Sequence, residues 1–292
     1  MFHTTILQQT IIEFSVSLII NHRHGNIIVL LWREKRMKAI LKYPGAKWKI
    51  GDWIISHFPQ HKVYVEPYFG SGAIFFKKTP AYIEIINDID GNIVNLFKVC
   101  REHPEELATQ MNLTPFARDE FVNCYDMNSG NEIEKARRTL VRYHQSFGTS
   151  NSTRKSWRNV KTYGGPRCAT IWNYLPETII ECCERLKEAQ IENTDGISLV
   201  KSCSNPDTLI YLDPPYLQSL RKRNMYANEY SEEQHKELLE TVLESKSKII
   251  ISGYDCDLYN SYLKGWRTDT RETTVQMGLH RTEKIWMNYE EE

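Results

Sequence analysis

Asp213-Pro214-Pro215-Tyr216 is the stretch of this chain best suited to chemistry. It follows Thr208-Leu209-Ile210-Tyr211-Leu212, an apolar run that reads as a buried strand. Two prolines lack N–H groups and cannot extend a ladder, so the chain must leave the sheet in a rigid turn. That turn leaves the Asp213 carboxylate and the Pro214 carbonyl as fixed acceptors, with the Tyr216 ring beside them. An amino group has two donors, so two fixed acceptors can hold it and aim its lone pair at an incoming methyl. A flat base also needs a stacking partner, and Tyr216 offers one. The plainer alternative is a rigid strand-end turn whose Asp caps a helix.

A second motif lies upstream. Val63-Tyr64-Val65-Glu66-Pro67 reads as a short strand ended by proline, and Phe69-Gly70-Ser71-Gly72 follows it. Glycine lets backbone approach a ligand where a Cβ would intrude. Alone, such a turn is a weak sign of nucleotide binding. Its context strengthens it, because Asp88 lies 16 residues beyond Gly72 at the end of the next expected strand, Tyr82–Ile86. An acid there can accept hydrogen bonds from ribose hydroxyls. The third glycine of the dinucleotide fingerprint is missing, which favours a cofactor with no pyrophosphate.

The elements that must position these residues can be read along the chain. The pattern of Ile50, Trp53 and Ile54 predicts a short helix closed before Pro59. Ala73–Lys78 reads as a helix start, Gly91–Cys100 as a helix, Glu132–Tyr143 as an amphipathic helix and Pro176–Ala189 as another. Ser231 with Gln234 forms a capping-box pattern opening a further helix. Lys248–Gly253 is a second buried strand, and Thr274–Met277 with Glu283–Asn288 form a terminal hairpin. Strand, glycine turn, helix, strand and acid make half of a doubly wound sheet.

Composition narrows the class. The chain has 292 residues, 41% hydrophobic and 25% charged, as an ordinary globular protein does. Its formal net charge is +0, so any nucleic-acid-binding charge must be local. The seven cysteines form no CxxC pair, and no Cys/His cluster is present, so neither a disulfide framework nor a metal site is expected. The apolar stretches Thr10–Ile20 and Ile27–Trp32 fall short of the ~20 residues that a membrane span requires. A cytoplasmic protein with no membrane partner is the expectation. Residues 1–36 read as an N-terminal extension, a non-native start or a poorly ordered segment.

Charge is concentrated in the middle of the chain. Between Glu134 and Glu177 no acid occurs, while Lys135, Arg137, Arg138, Arg142, Arg154, Lys155, Arg158, Lys161 and Arg167 do. Tyr143, Phe147, Trp157, Tyr163, Trp172 and Tyr174 are interleaved with them. This is the footprint of a nucleic-acid-binding segment, against the alternative of a solvated helix face with core aromatics. Arg221-Lys222-Arg223, just past the prolines, can hold phosphates beside a flipped nucleotide or be a plain surface loop.

Taken together, the motifs resemble the Dam-type adenine-N6 DNA methyltransferases, from about Ile40 to the C-terminus. Lys42-Tyr43-Pro44-Gly45-Ala46-Lys47 resembles the family's opening Lys-aromatic-x-Gly-Gly-Lys motif, with Ala46 for the second glycine. Glu66–Ala73 resembles its cofactor loop, Asn87-Asp88-Ile89-Asp90 its ribose-contacting turn, and Ile191–Asp195 the segment whose Asp contacts the cofactor's adenine. Asp213-Pro214-Pro215-Tyr216 matches the catalytic motif unchanged. The resemblance implies an α/β, Rossmann-like fold with a seven-stranded mixed sheet and an inserted, mainly helical target-recognition domain. The expected division is a catalytic domain at 37–101 and 191–292 and a DNA-binding insertion at 102–190.

The resemblance also implies the site. Asp213, Pro214, Pro215 and Tyr216 would be catalytic. Tyr43, Lys47, Glu66, Phe69, Gly70, Ser71, Gly72, Asp88 and Asp195 would hold S-adenosyl-L-methionine. Arg142, Arg154, Lys155, Arg158, Lys161, Arg221 and Arg223 would bind double-stranded DNA, with the adenine flipped out of the duplex. A cognate restriction endonuclease is a candidate partner, and no metal is required. The rival readings are an amino methyltransferase acting on cytosine N4, RNA adenine or a glutamine side chain, and an inactive DNA-binding protein on the same fold. Asp at the first position of the turn favours adenine.

Overall fold

The computed structural model describes residues 37–146, 156–159, 168–217, 228–274 and 280–290, with the backbone of two strands at 15–20 and 27–32. Two compact units divide the chain, Met1–Met37 and Lys38–Glu292. In the first, β1 (Ser15–Ile20) pairs antiparallel with β2 (Ile27–Trp32), Ser15 opposite Trp32 and Ile20 opposite Ile27.

The second unit is built on a seven-stranded sheet. Its chain order begins with a 3-10 turn at Lys47–Lys49, α1 (Gly51–Ile55), β3 (Val63–Glu66), β4 (Ile83–Asn87) and α2 (Gly91–Glu102). Then come α3 (Pro104–Leu113), α4 (Arg118–Asn123), α5 (Glu132–Gln145), α6 (Cys168–Trp172) and α7 (Leu175–Leu186). The chain returns through β5 (Ala189–Glu192), α8 (Gly196–Ser202), β6 (Thr208–Leu212), α9 (Glu232–Glu244) and β7 (Lys248–Tyr254). It finishes with α10 (Asp257–Tyr262), β8 (Arg267–Thr274) and β9 (His280–Met287).

Sheet order is β5-β4-β3-β6-β7-β9-β8. The first five strands are parallel, while β9 runs antiparallel to both β7 and β8. From β3 the chain steps outward to β4 and β5, then crosses back to β6 on the other side of β3. Helices that close the carboxyl ends of such strands diverge at this switch point, leaving a crevice between β3 and β6.

Burial explains which segments form the sheet centre. All five residues of β6 are buried, as are Ile249–Gly253 of β7. Strands buried on both faces need continuous apolar runs rather than alternation. Tyr230, Leu238, Leu239, Val242, Tyr259 and Trp286 close one side of this core. The Ser231 side chain caps α9 by accepting from the Gln234 N–H, and Gln234 reaches back to the Ser231 N–H. On the other side, α2 turns Ile93, Leu96, Phe97 and Cys100 inward, and α5 and α7 pack against it. Among the described residues no helix is long and apolar enough to cross a membrane.

Three segments depart from the sequence expectation. The hairpin's first strand, expected at Thr274–Met277, is β8 at Arg267–Thr274, and 275–277 lie outside the described residues. Ala73–Lys78 forms consecutive turns rather than a helix, closed by Phe76 N–H to Gly72 O and Lys78 N–H to Ile74 O. Residues Ala73–Phe76 are all buried, so packing of Phe75 and Phe76 decides the backbone there, not helix propensity. The Pro176–Ala189 helix stops at Leu186, because Ala189 pairs with Glu84 as the first residue of β5.

A buried ion triad ties the helical region to the sheet. Glu84 on β4 is 4% exposed and accepts from Lys78 and from Arg185 of α7. Arg185 also donates to the Phe75 carbonyl at 3.1 Å and lies 3.7 Å over the Phe75 ring. Removing the one acid would leave two cations without their carboxylate. Glu84→Ala should therefore destabilise the protein by about 3–5 kcal/mol. Urea unfolding measures this, and an unchanged midpoint would show that the triad does not lock the helices to the sheet.

Candidate active site

At the crevice between β3 and β6 lies a cavity of about 470 Å³. Its walls come from Tyr43–Lys47, the loop after β3, the end of β4, the start of α8 and the turn after β6. All but Tyr43–Lys47 follow the carboxyl end of a parallel strand, β3, β4, β5 or β6.

The glycine loop is held from below. The Gly70 N–H donates to Asp88 Oδ2 at 2.8 Å, and the Asp90 N–H donates to Asp88 Oδ1 at 2.9 Å. Burial pushes the Asp88 carboxyl up to about 6, against the pull of those two amides. Asp88 thus fixes the turn while still lining the cavity. Gly70 has φ +50°, and a Cβ there would meet the Tyr43 ring at 3.0 Å. Gly72 also has positive φ, but it does not line the cavity. Its missing side chain leaves room for Phe69 and Phe76, whose rings would lie 2.5 and 2.7 Å from a Cβ. Phe69 lines the cavity and packs on Phe75, Phe76 and Phe97. Ser71 lines it too and accepts from the Trp48 indole at 3.1 Å.

Six acidic residues line this space: Glu66, Asp88, Asp90, Asp195, Asp213 and Glu229. Glu66 is 2% exposed and accepts from the Tyr64 hydroxyl at 2.7 Å. Burial raises its carboxyl to about 8; the Tyr64 hydrogen bond opposes this and the Asp213 charge reinforces it. Asp195 caps α8 by accepting from the Ser198 N–H at 2.8 Å. Asn87 joins the loops below it, donating to the Pro67 and Thr194 carbonyls and accepting from the Thr194 N–H. Asn193 adds a bond to the Asp88 carbonyl at 2.7 Å. Both asparagines lie within motifs that the sequence offers, but nothing in the sequence assigns them this bridging role.

The turn after β6 carries a close ion pair. The Lys47 ammonium lies 2.8 Å from both carboxylate oxygens of Asp213 and donates to the Gly45 carbonyl at 2.8 Å. The Ser252 hydroxyl on β7 donates to Asp213 Oδ1 at 3.0 Å and is 2.9 Å from the Tyr211 hydroxyl. Asp213 and Pro215 line the main cavity. Pro214 and Tyr216 instead line a narrow slot behind it, with Ser252, Tyr254 and Tyr259. Tyr216 is 6% exposed, so the open stacking face expected from the sequence is not on the cavity wall. Its hydroxyl donates to Glu283 Oε2 at 2.9 Å, and its ring meets that of Tyr254 at 4.4 Å.

The basic segment is only partly described. Arg154, Lys155, Lys161, Arg221 and Arg223 lie outside the described residues. Arg158 donates from Nε to the Ser146 carbonyl, while its own N–H bonds Gln145. Arg142 lies 5.2 Å over the Tyr125 ring. Arg137 and Arg138 correct the expectation of an uncompensated patch. Arg137 pairs with Glu120 and Glu134, and Arg138 pairs with Glu134 and Asp126. These two of the interval's nine lysines and arginines are paired by acids from outside it. Tyr143 and Trp172 are buried, Tyr143 stacked on Tyr43 and Trp172 bonded to the Thr114 carbonyl.

Comparison with known proteins matches residues 43–278 to the family model described as D12 class N6 adenine-specific DNA methyltransferase. A "DNA adenine methylase" of Escherichia coli is 26% identical over 239 residues, covering 76% of this chain and 82% of that protein. One of Haemophilus influenzae is 25% identical over 242 residues, covering 76% and 83%. The "Type II methyltransferase M1.LlaDCHI" of Lactococcus lactis subsp. cremoris is 27% identical over 203 residues, covering 64% and 69%.

The two glycines should respond differently to substitution. Gly72→Ala drives a methyl group into two aromatic rings at positive φ and should cost about 1–3 kcal/mol or more of stability. Gly70→Ala meets only the Tyr43 ring edge and should cost less. Thermal denaturation of both variants checks this; equal losses would mean that Phe69 and Phe76 give way.

Proposed function

Because this chain belongs to the D12 class of N6 adenine-specific DNA methyltransferases, we propose that the acid-lined cavity holds S-adenosyl-L-methionine and that the Asp213–Tyr216 turn presents the adenine amino group to it. Its reaction is methylation of adenine N6 in DNA. The observation that carries the site assignment is the Asp213 carboxylate, fixed by Lys47 and Ser252 at the edge of that cavity.

The residues present fit this cofactor. It carries two positive centres, and the cavity offers Glu66, Asp88, Asp90 and Asp195. Gly70 leaves the backbone room for close approach beneath Tyr43. When bound, the cofactor supplies an activated methyl group on a positively charged sulfur. The chain's own work is positioning and electrostatics. The lone pair of the adenine amino nitrogen is delocalised into the ring. Hydrogen bonds from its two N–H groups to the Asp213 carboxylate and the Pro214 carbonyl favour rehybridisation toward a nucleophilic nitrogen. Lys47 and Ser252 keep the Asp213 carboxylate from swinging away.

DNA engagement completes the reading. N6 is paired within a duplex, so the base must flip out at a cost of a few kcal/mol. Phosphate contacts offset that cost, and Arg142, Arg154, Lys155, Arg158, Lys161, Arg221 and Arg223 are the candidates. The 102–190 insertion is then the target-recognition region. The setting would be the cytoplasm, where a cognate restriction endonuclease is a candidate partner. The word "Type II" in one relative's name is the support for that partner.

Transfer of a labelled methyl group to duplex DNA tests the assignment. Asp213→Ala should abolish transfer while leaving cofactor affinity within about threefold, since it removes the amino acceptor and not the cavity floor. Retained activity in this variant would sink the site assignment.

Cofactor binding should also depend on pH through Glu66. Its carboxyl, at about 8 in the free protein, is largely protonated at neutral pH. Because this acid ionises near 4.5 when unfolded and near 8 when folded, it lowers stability progressively between those values and by a constant amount above them. A cationic ligand prefers the ionised form and takes up binding energy by expelling the proton. The dissociation constant should therefore fall as pH rises from 6 toward 8, by up to about tenfold per unit, and level off above. Asp213, Lys78 and Tyr64 face the same carboxyl and stay in place in the control variant Glu66→Gln, which should flatten the profile. Calorimetric titration checks this, and an unchanged slope in Glu66→Gln would remove Glu66 from the linkage.

A further inference from the structure

Glu283 is a buried carboxylate with no part yet in the reaction. It is 7% exposed on β9, the strand that inserts antiparallel beside β7. The register sets Glu283 directly opposite Tyr254. Both members of this cross-strand pair grip Tyr216. Glu283 accepts its hydroxyl at 2.9 Å, and the Tyr254 ring meets its ring at 4.4 Å and 61°. The Lys47 ammonium, already paired with Asp213, lies 4.9 Å from the same ring's centroid. A tyrosine ring has two soft torsions. A fixed hydroxyl and a packed edge leave neither free.

Stability alone does not account for this acid. A carboxylate buried among apolar rings is costly, and an apolar residue of similar volume is often as stable or more so. Lys47, Asp213 and Arg281 act on it, Arg271 stands opposite it on β8, and burial raises its carboxyl while Lys47 opposes that. Its hydrogen-bond partner Tyr216 and the nearby Asp213 belong to the turn, and Lys47 is bonded to Asp213.

We propose that Glu283 is a positioning residue for methyl transfer: by holding the Tyr216 hydroxyl it anchors the turn whose Asp213 carboxylate and Pro214 carbonyl receive the adenine amino group. The inference rests on the reading of the Asp213–Tyr216 turn as the element that presents the adenine. The terminal hairpin is then part of the active site rather than only the sheet's edge.

The test is a double-mutant cycle between Tyr216→Phe and Glu283→Ala, with Glu283→Gln as the conservative variant. The readouts are kcat/KM on duplex DNA, cofactor affinity, and fluorescence of an adenine analogue at the target position that brightens when unstacked. Each single variant should lower kcat/KM about tenfold, the loss of one charge-assisted hydrogen bond, and dim the analogue signal. Cofactor affinity should stay within about twofold of wild type. The double variant should be no worse than the weaker single one, because both remove the same bond. Glu283→Gln keeps an acceptor and should recover most of the loss. Additive effects in the cycle, or a wild-type kcat/KM in Tyr216→Phe, would overturn the inference. Should Glu283→Ala fail to fold, Tyr216→Phe and Glu283→Gln decide alone: a loss in the first and recovery in the second support the role, and any other pattern rejects it. A wild-type protein that neither transfers methyl nor brightens the analogue would instead fail the functional reading itself, and this inference with it.

Discussion

The Lys47 ammonium and the Asp213 carboxylate meet across 166 residues of chain, at 2.8 Å, with the lysine 4% exposed. Two charges at that distance inside a protein bind each other far more strongly than in water. They also demand that their two backbones be held still. The sheet meets that demand. β3 and β6 are adjacent and parallel, so the loop leaving β3 and the turn leaving β6 share one rim, and Tyr43–Lys47 lines the cavity there with them. The Ser252 hydroxyl, from the next strand outward, completes the shell around Asp213. Break the pair and the carboxylate loses its cationic partner, while the lysine becomes a buried charge with one fewer acceptor.

Much of this was legible in the sequence because local chemistry dictated it. Two prolines after an apolar run can only end a strand, and Asp213 stands where that argument puts it. The Glu66–Gly72 loop and Asp88 likewise fall at strand ends, and seven strands form the mixed sheet that the motifs implied. Gly72 is an instructive exception. Its spacing resembles that of a ligand-facing glycine, yet its open side is filled by Phe69 and Phe76. A sequence records that a Cβ is excluded, but not whether ligand or protein excludes it.

What stayed hidden depends on register. Glu283 and Ser252 reach the site because β9 pairs with β7 in one alignment and β7 with β6 in another. A shift of one residue would point either side chain to the opposite face. No local pattern announces which register holds. The same holds for the helices. Arg137 and Arg138 look like free positive charge in a stretch without acids, but folding returns Glu120 and Asp126 to them. Linear charge density overstates the potential of a helix whose partners arrive from a neighbouring helix.

The distribution of charge around the cavity follows one rule. Acids line the floor, with Glu66 and Asp88 deep and raised by burial to about 8 and 6. In the protein as it stands, Glu66 is therefore neutral over much of the physiological range, which spares the sheet a buried negative charge beside Asp213. A cationic guest inverts that balance by stabilising the ionised form. Asp213 needs no guest for its own compensation, because Lys47 is built into the chain. The floor is thus poised to respond to the cofactor, while the turn that handles the base is already set. Rigid presentation of the base and adjustable capture of the cofactor come from the same difference: one carboxylate is bonded directly to a lysine, and the other to a tyrosine hydroxyl and a backbone N–H.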